Sequence, residues 1–371
     1  MFLVVTRNFP PDIGGIQILM GGLSEALLEH GPVNVFADEF PDSKDFDGKS
    51  AANIERVKGI KFFRKYRKAN LVNSFIKEHS NIRAIFFDHW KSAEVINKNY
   101  IKKTKTFCLV HAKEINHKLG SSLNKRLIES LANINFVIAN SNFTKELIIS
   151  MGINTDKVHI INPGIRKPLS LKSLDLEEAN KIYNLSNSPD ECFPKILTVA
   201  RLDKRKNHDK ILMTIKNLQS KFPKIKYISI GDGEEKGNLI SLTNQLNLNK
   251  NVNLMDNVPE KIKFSIIASS NLFLMPSIVV KKSVEGFGIS FMEAASYGVA
   301  SIGGKDGGAA DAIIHDKTGL ICDGNNLDSI YSSVTKCLSN ENYLKYGKEA
   351  LKYSESFHWN KILKKYLNLI N

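Results

Sequence analysis

The chain has 371 residues, 42% of them apolar and 24% charged, a balance typical of globular soluble proteins, and its length suits two domains rather than one core. No apolar run reaches the roughly 18 residues needed to cross a bilayer. The formal net charge of +14 favours anionic partners such as nucleotide phosphates or anionic lipid surfaces. No motif with interleaved aromatic residues supports nucleic acid as one.

MFLVVTRNFPP (1–11) turns polar too soon for a signal peptide and predicts a first buried strand. Short apolar runs rich in β-branched residues then alternate with segments of helical period, the pattern of parallel α/β units. Strands are expected at 2–6, 33–37, 83–87, 106–111, 135–140 and 158–162, and again at 195–200, 225–230, 252–255, 271–275 and 299–303. Helices are expected at 16–29, 123–132, 207–220, 234–247 and 288–297. The segment 162–194 carries prolines and serines and no strand, so the interdomain connection belongs there. The expected domains are 1–168 and 169–355, both doubly wound and Rossmann-like, facing each other across a cleft where the strands end. Near the C-terminus Trp359, Ile362, Leu363, Tyr366 and Leu367 form one apolar helical face that either domain could receive. Cys108, Cys192, Cys322 and Cys337 show no CxxC spacing, which suits free thiols in a reducing cytoplasm.

Several motifs sit where strands give way to helices. PPDIGGIQILM (10–20) follows the first strand, and its Gly14 and Gly15 allow close backbone approach to a ligand at a helix start. An ordinary strand-to-helix turn explains it equally well. ERVKGIKFFRKYRKANLVNSFIKEH (55–79) holds seven basic residues and no acid from Arg56 to Lys68, interleaved with Phe62, Phe63 and Tyr66. Such a helix either docks on an anionic membrane or presents a solvated face. In VARLDKRKNHD (199–209) Arg201 and Lys206 straddle a turn suited to a diphosphate, though a solvated basic loop reads the same way. GDGEEKG (231–237) ends the next strand.

EGFGISFMEA (285–294) is the most specific signal. Gly286 and Gly288 precede a helix start, and Glu285 and Glu293 stand eight positions apart. That spacing is poor for an acid/base dyad and good for accepting hydrogen bonds from different hydroxyls of one polyhydroxylated ligand. GGKDGGAADAI (303–313) repeats the strand, glycine, helix arrangement.

Together with VHAKEIN (110–116), IANSNFTKELI (138–148) and NPGI (162–165), these motifs resemble the family-4 retaining glycosyltransferases of the GT-B fold over most of the chain. The resemblance implies that Glu285 holds hydroxyls of the transferred sugar with the N–H groups of Phe287 and Gly288, and that Glu293 accepts from the ribose. Arg201 and Lys206 would neutralise the diphosphate, with Gly14 and Gly15 contributing from the other domain. His111 would face the donor sugar and contribute to catalysis. Gly231, Val258, Gly286 and Ile289 complete the implied nucleotide-sugar contacts. The last helix, 356–371, would return to the N-terminal domain. No cofactor is implied beyond the substrate, a GDP-sugar or UDP-sugar. No DxD pair is placed to hold a metal, so metal independence is expected.

PPDIGGIQ with the glycine-alanine loop resembles GDP-mannose-dependent phosphatidylinositol mannosyltransferase-type members. The implied function is transfer of a hexose, mannose above others, to a glycan or lipid-linked acceptor in cell-envelope polysaccharide or lipopolysaccharide synthesis. The place expected for it is the cytoplasm or the inner face of the membrane. The alternative is a noncatalytic nucleotide-sugar-binding partner subunit. The departures are minor: VAR stands where many members have VGR, and alanine stands in GGAAD where a glutamate often follows.

Overall fold

The computed structural model describes residues 1–183 and 192–371, so residues 184–191 of the expected connection at 162–194 lie outside the described residues. The chain divides into two compact units, Met1–Arg166 with Phe357–Asn371, and Lys167–Ser356.

The first unit is built on strands β1 (Phe2–Val5), β2 (Val33–Asp38), β3 (Asn53–Val57), β4 (Ala84–Phe87), β5 (Lys105–Val110), β6 (Phe136–Ala139) and β7 (Val158–Ile160). They pair in the order β3-β2-β1-β4-β5-β6-β7, every neighbour parallel. Phe2, Leu3, Val4 and Val5 are all fully buried, which is why β1 reads as an unbroken apolar run: a parallel sheet is covered on both faces. The second unit holds β8 (Lys195–Val199), β9 (Lys226–Ile230), β10 (Val252–Met255), β11 (Leu272–Met275), β12 (Ala300–Gly304) and β13 (Gly319–Cys322), in the order β10-β9-β8-β11-β12-β13. In both sheets the first strand lies between the second and the fourth. The winding therefore reverses at β1/β4 and at β8/β11, the places where open α/β sheets take up their ligands.

Two strands were not anticipated, β3 and β13, and both are edge strands. β3 reads Asn-Ile-Glu-Arg-Val, with Asn53 and Glu55 exposed, so it lacks an apolar run. The basic stretch 55–79 is likewise not one helix. Arg56 belongs to β3, where Asp47 pairs with it at 2.7 Å, and the helix begins at Lys61. Lys68 is 3% exposed and bonds the Thr6 carbonyl oxygen and Asp38, so two of the seven basic residues face inward. None of the four cysteines forms a disulfide among the described residues.

The last helix, Trp359–Ile370, packs within the first unit. Ile165 bonds Phe357 and Trp359 through its backbone, at 2.9 and 3.1 Å, which docks the returning chain. The Trp359 indole fills space that only glycine leaves: an added Cβ would lie 2.2 Å from it at Gly22 and 2.4 Å at Gly164. Tyr366 packs edge-on to Phe86 and Phe107, 5.8 Å from each. Trp359→Ala is therefore expected to cost the first unit about 3–5 kcal/mol, read by urea unfolding followed by circular dichroism. A loss under about 1 kcal/mol would mean that the indole does not hold the helix.

Candidate functional site

The residues that the sequence singles out fall in the loops and helix starts that follow the strands of both sheets. In the second unit the chain leaves β8 through Ala200 and Arg201 and makes a single tight turn at Lys204–Lys206. Asn207 ends that turn in the left-handed conformation, φ 65°, and its side-chain amide donates to the carbonyls of Pro276 (3.0 Å) and Gly324 (2.7 Å). This ties the β8 loop to the chain beyond β11. The Ile278 N–H adds a bond to the Arg205 carbonyl at 2.9 Å.

Glu285 lies past β11, its side chain 12% exposed. Its Oε2 accepts from the Lys206 ammonium and from Arg205 Nη1 at 2.6 Å. Burial alone would raise the Glu285 pKa, but Lys206 and then Arg205 outweigh it and bring the carboxyl down to about 2. Burial lowers Lys206 below the usual lysine range despite the facing carboxylate. The Glu285 carbonyl accepts from the Gly308 N–H at 2.8 Å. Gly307 has φ +92°, and a Cβ there would fall 2.3 Å from that carbonyl oxygen, so the glycine-rich loop after β12 and the Glu285 segment need each other's shape. Arg201, by contrast, is exposed, and its side chain makes no ion pair or hydrogen bond among the described residues.

Gly286, half-buried, leads to Phe287, 2% exposed, and Gly288 (φ 89°) caps a helix running from Ile289 to Ala295. Glu293 is in its second turn and accepts from Lys263 of the helix Glu260–Ala268 at 2.9 Å. Val258 is half-buried in the turn before that helix. Gly231 has a reason within the fold: a Cβ would sit 2.0 Å from the Ala200 carbonyl oxygen, so the β9 turn packs directly on the β8 loop.

In the first unit His111 follows β5 and caps the start of the short helix Ala112–Ile115. Its Nε2 is buried without a hydrogen-bond partner among the described residues. Burial brings the imidazole down to about 4, against the opposing charge of Asp88, so the ring is neutral. Asp88 follows β4 and is fully buried. Its Oδ2 accepts from Thr6 Oγ1 (2.9 Å) and the Arg7 N–H (2.8 Å), and its Oδ1 from Ser92 Oγ (2.7 Å). Glu114 accepts from the His111 N–H at 3.3 Å and faces His89 Nε2 at 3.0 Å. Burial, then the Asp88 charge, raise Glu114 well above the carboxylate range. The His89 Nδ1 accepts from the Lys91 N–H, so the ring hydrogen lies on Nε2 and points at Glu114. Gly14 caps the helix Gly15–Leu28, and Gly15 is exposed at its first position.

Sequence reasoning missed Arg205, Lys263, Asp88, His89 and Glu114. Arg205 read as one more lysine-loop cation, and nothing local tells it from Lys204. Asp88 carried a usable signal, an acid placed directly after a wholly apolar strand.

The family model for glycosyltransferase family 4 matches residues 13–167, and that for glycosyl transferases group 1 matches residues 184–353. A GDP-mannose-dependent alpha-(1-6)-phosphatidylinositol monomannoside mannosyltransferase of Mycolicibacterium smegmatis is 23% identical over 347 residues, 91% of this chain and 89% of that protein. An O-antigen biosynthesis glycosyltransferase of Escherichia coli is 29% identical over 236 residues, 62% of each chain. Among solved structures, Anabaena HepE in complex with UDP superposes with a TM-score of 0.81 at 15% identity, covering 99% of this chain and 98% of that one. A glycosyltransferase of Rickettsia africae gives 0.80 at 18% identity, covering 100% and 97%. The fold is GT-B, with two parallel-sheet Rossmann-like domains.

Glu285→Gln would strand Lys206 and Arg205 as buried cations and is expected to destabilise the second unit by roughly 3–5 kcal/mol in thermal or urea unfolding. The pH dependence has a fixed sign. Because the folded pKa is depressed, the Glu285 contribution is whole above about pH 4.5 and fades as pH falls toward about 2. A wild type and a Glu285→Gln variant with equal stability at pH 7 would contradict the ion cluster.

Proposed function

Because the chain belongs to the family 4 and group 1 glycosyltransferases, whose two models together take in most of it, we propose that it moves a hexose from a nucleoside-diphosphate sugar to a glycan or lipid-linked acceptor with retention at the anomeric carbon. The observation that carries this reading is the Glu285 carboxylate held by Lys206 and Arg205 at the β8/β11 reversal, with the unpaired Arg201 on the same loop. A carboxylate suits sugar hydroxyls, and preorganised cations suit the charge that develops on a departing diphosphate.

In the proposed reaction the bond from the anomeric carbon to the diphosphate oxygen breaks as the acceptor oxygen bonds to that carbon on the same face. The acceptor proton passes to the leaving phosphate oxygen. Arg201 and Lys206 take up the diphosphate charge, Glu285 accepts from sugar hydroxyls, Glu293 from the ribose, and the neutral His111 offers its Nε2 lone pair to the sugar. These cations supply the charge stabilisation, so activity is expected to persist in EDTA. Mannose from GDP-mannose is favoured by the mycolicibacterial relative, and a cell-envelope glycan by the O-antigen relative.

We place the enzyme at an anionic membrane face. No helix among the described residues is long and apolar enough to cross a membrane. Ile60 (67% exposed), Phe62 (74%), Phe63 (50%) and Tyr66 (46%) instead stand outward beside Lys61, Arg64 and Arg67, a combination suited to interfacial docking.

The donor reading is tested by thermal shift with GDP-mannose, UDP-glucose, GDP and UDP. One base is expected to stabilise the wild type, and Glu293→Ala to lose most of that shift. No shift with any of them would overturn the reading. For the membrane, co-sedimentation with phosphatidylglycerol vesicles is expected to pull down the wild type and to fall at least several-fold for a Phe62→Ser/Phe63→Ser variant. Equal binding of both proteins, or none by the wild type, removes the docking surface.

A further inference from the structure

Arg201, Arg205 and Lys206 lie on the loop that leaves β8, and these three cations are not equivalent. Arg201 is exposed with no side-chain partner among the described residues. Lys206 is 8% exposed and shared: it bonds Glu285, and its other near neighbour is the Met275 sulfur at 3.3 Å, a weak acceptor that leaves ammonium N–H capacity unused. Arg205 is committed. Its Nη1 bonds Glu285 at 2.6 Å, its Nη2 stands 3.6 Å from Asp203, and its carbonyl is tied to the chain beyond β11. Both cations that reach Glu285 converge on Oε2, and among the described residues no hydrogen bond or ion pair reaches Oε1.

We propose that Arg205 is the positioning residue for Glu285, holding Oε2 so that Oε1 faces the hydroxyls of the donor sugar while a bound diphosphate draws on Lys206. The inference deepens the glycosyltransferase reading and rests on it. Its logic is charge balance. A diphosphate brings two or more negative charges close to Lys206, whose three N–H donors rotate freely toward the stronger acceptor. A carboxylate left with Lys206 alone would lose its partner just as a new anion arrives, and would turn away or take up a proton. A guanidinium stays charged and has a fixed planar fork, so Arg205 keeps Glu285 ionised and aimed through that change. Arg205 is not a catalytic residue, because it acts on the sugar only through Glu285.

Calorimetric titration of the full chain separates this role from a general structural one. The probes are GDP against GDP-mannose and UDP against UDP-glucose, using the pair whose nucleotide the wild type binds, with donor hydrolysis measured alongside. In Arg205→Met, affinity for the bare nucleotide is expected to stay close to wild type. The extra affinity contributed by the sugar, or the hydrolysis kcat where that extra is small, is expected to fall roughly tenfold or more. Arg205→Lys, which restores a cation without the fork, should recover part of it. Equal losses for nucleotide and sugar nucleotide, or no loss of either, would overturn the proposal. Should Arg205→Met fail to fold, the ratio is measured on Arg205→Gln, which also removes the cation and is expected to lose the sugar's extra affinity in the same way. A wild type that binds no nucleotide at all refutes the transferase reading itself, a result distinct from a wild type that binds normally and variants that behave like it.

Discussion

A parallel sheet covered by helices on both faces offers no interior place for charge, and the rest of this protein is arranged around that constraint. The four residues of β1, of β4 and of β11 are all buried. Polar chemistry is thereby pushed to the strand ends, above all to the places where the winding reverses and the loops diverge. Each sheet uses its reversal in the same way. An acid placed after the strand beside the first strand reaches across to the loop that follows the first strand.

The two acids differ in what meets them. In the first unit Asp88 accepts from Thr6 Oγ1 and the Arg7 N–H on Oδ2 and from Ser92 Oγ on Oδ1, so both oxygens are engaged and the acid fastens the β1 loop. In the second unit Glu285 receives two cations on one oxygen and leaves the other open. Burying a charge is costly unless it is paired or hydrogen-bonded, so both carboxylates are compensated, but of the two only Glu285 has an oxygen that no partner reaches among the described residues.

Much of the fold is legible in the sequence because both of its signals are local. Apolar runs such as FLVV and AIFF mark strands that need burial on two faces, and Gly307 marks a turn that needs a left-handed backbone. The strands that escaped, β3 and β13, both lie at sheet edges, and β3, with Asn53 and Glu55 exposed, has no apolar run to mark it. The basic segment shows the opposite failure. Its composition suggests one amphipathic surface, yet Arg56 and Lys68 turn inward to Asp47 and Asp38, partners that no helical spacing could reveal.

The sequence by itself determined the architecture, the family, and which motifs stand where strands give way to helices, because periodicity, turn chemistry and motif spacing are properties of neighbouring residues. Only the tertiary structure decided how those side chains divide their work. Arg205 and Glu285 are 80 positions apart, and so are the Asp88 carboxylate and the Asn8 N–H. Contacts of that kind depend on sheet order and on loops closing over a reversal. No local pattern distinguishes the free Arg201, the shared Lys206 and the committed Arg205, since their difference lies entirely in what the fold brings beside each cation.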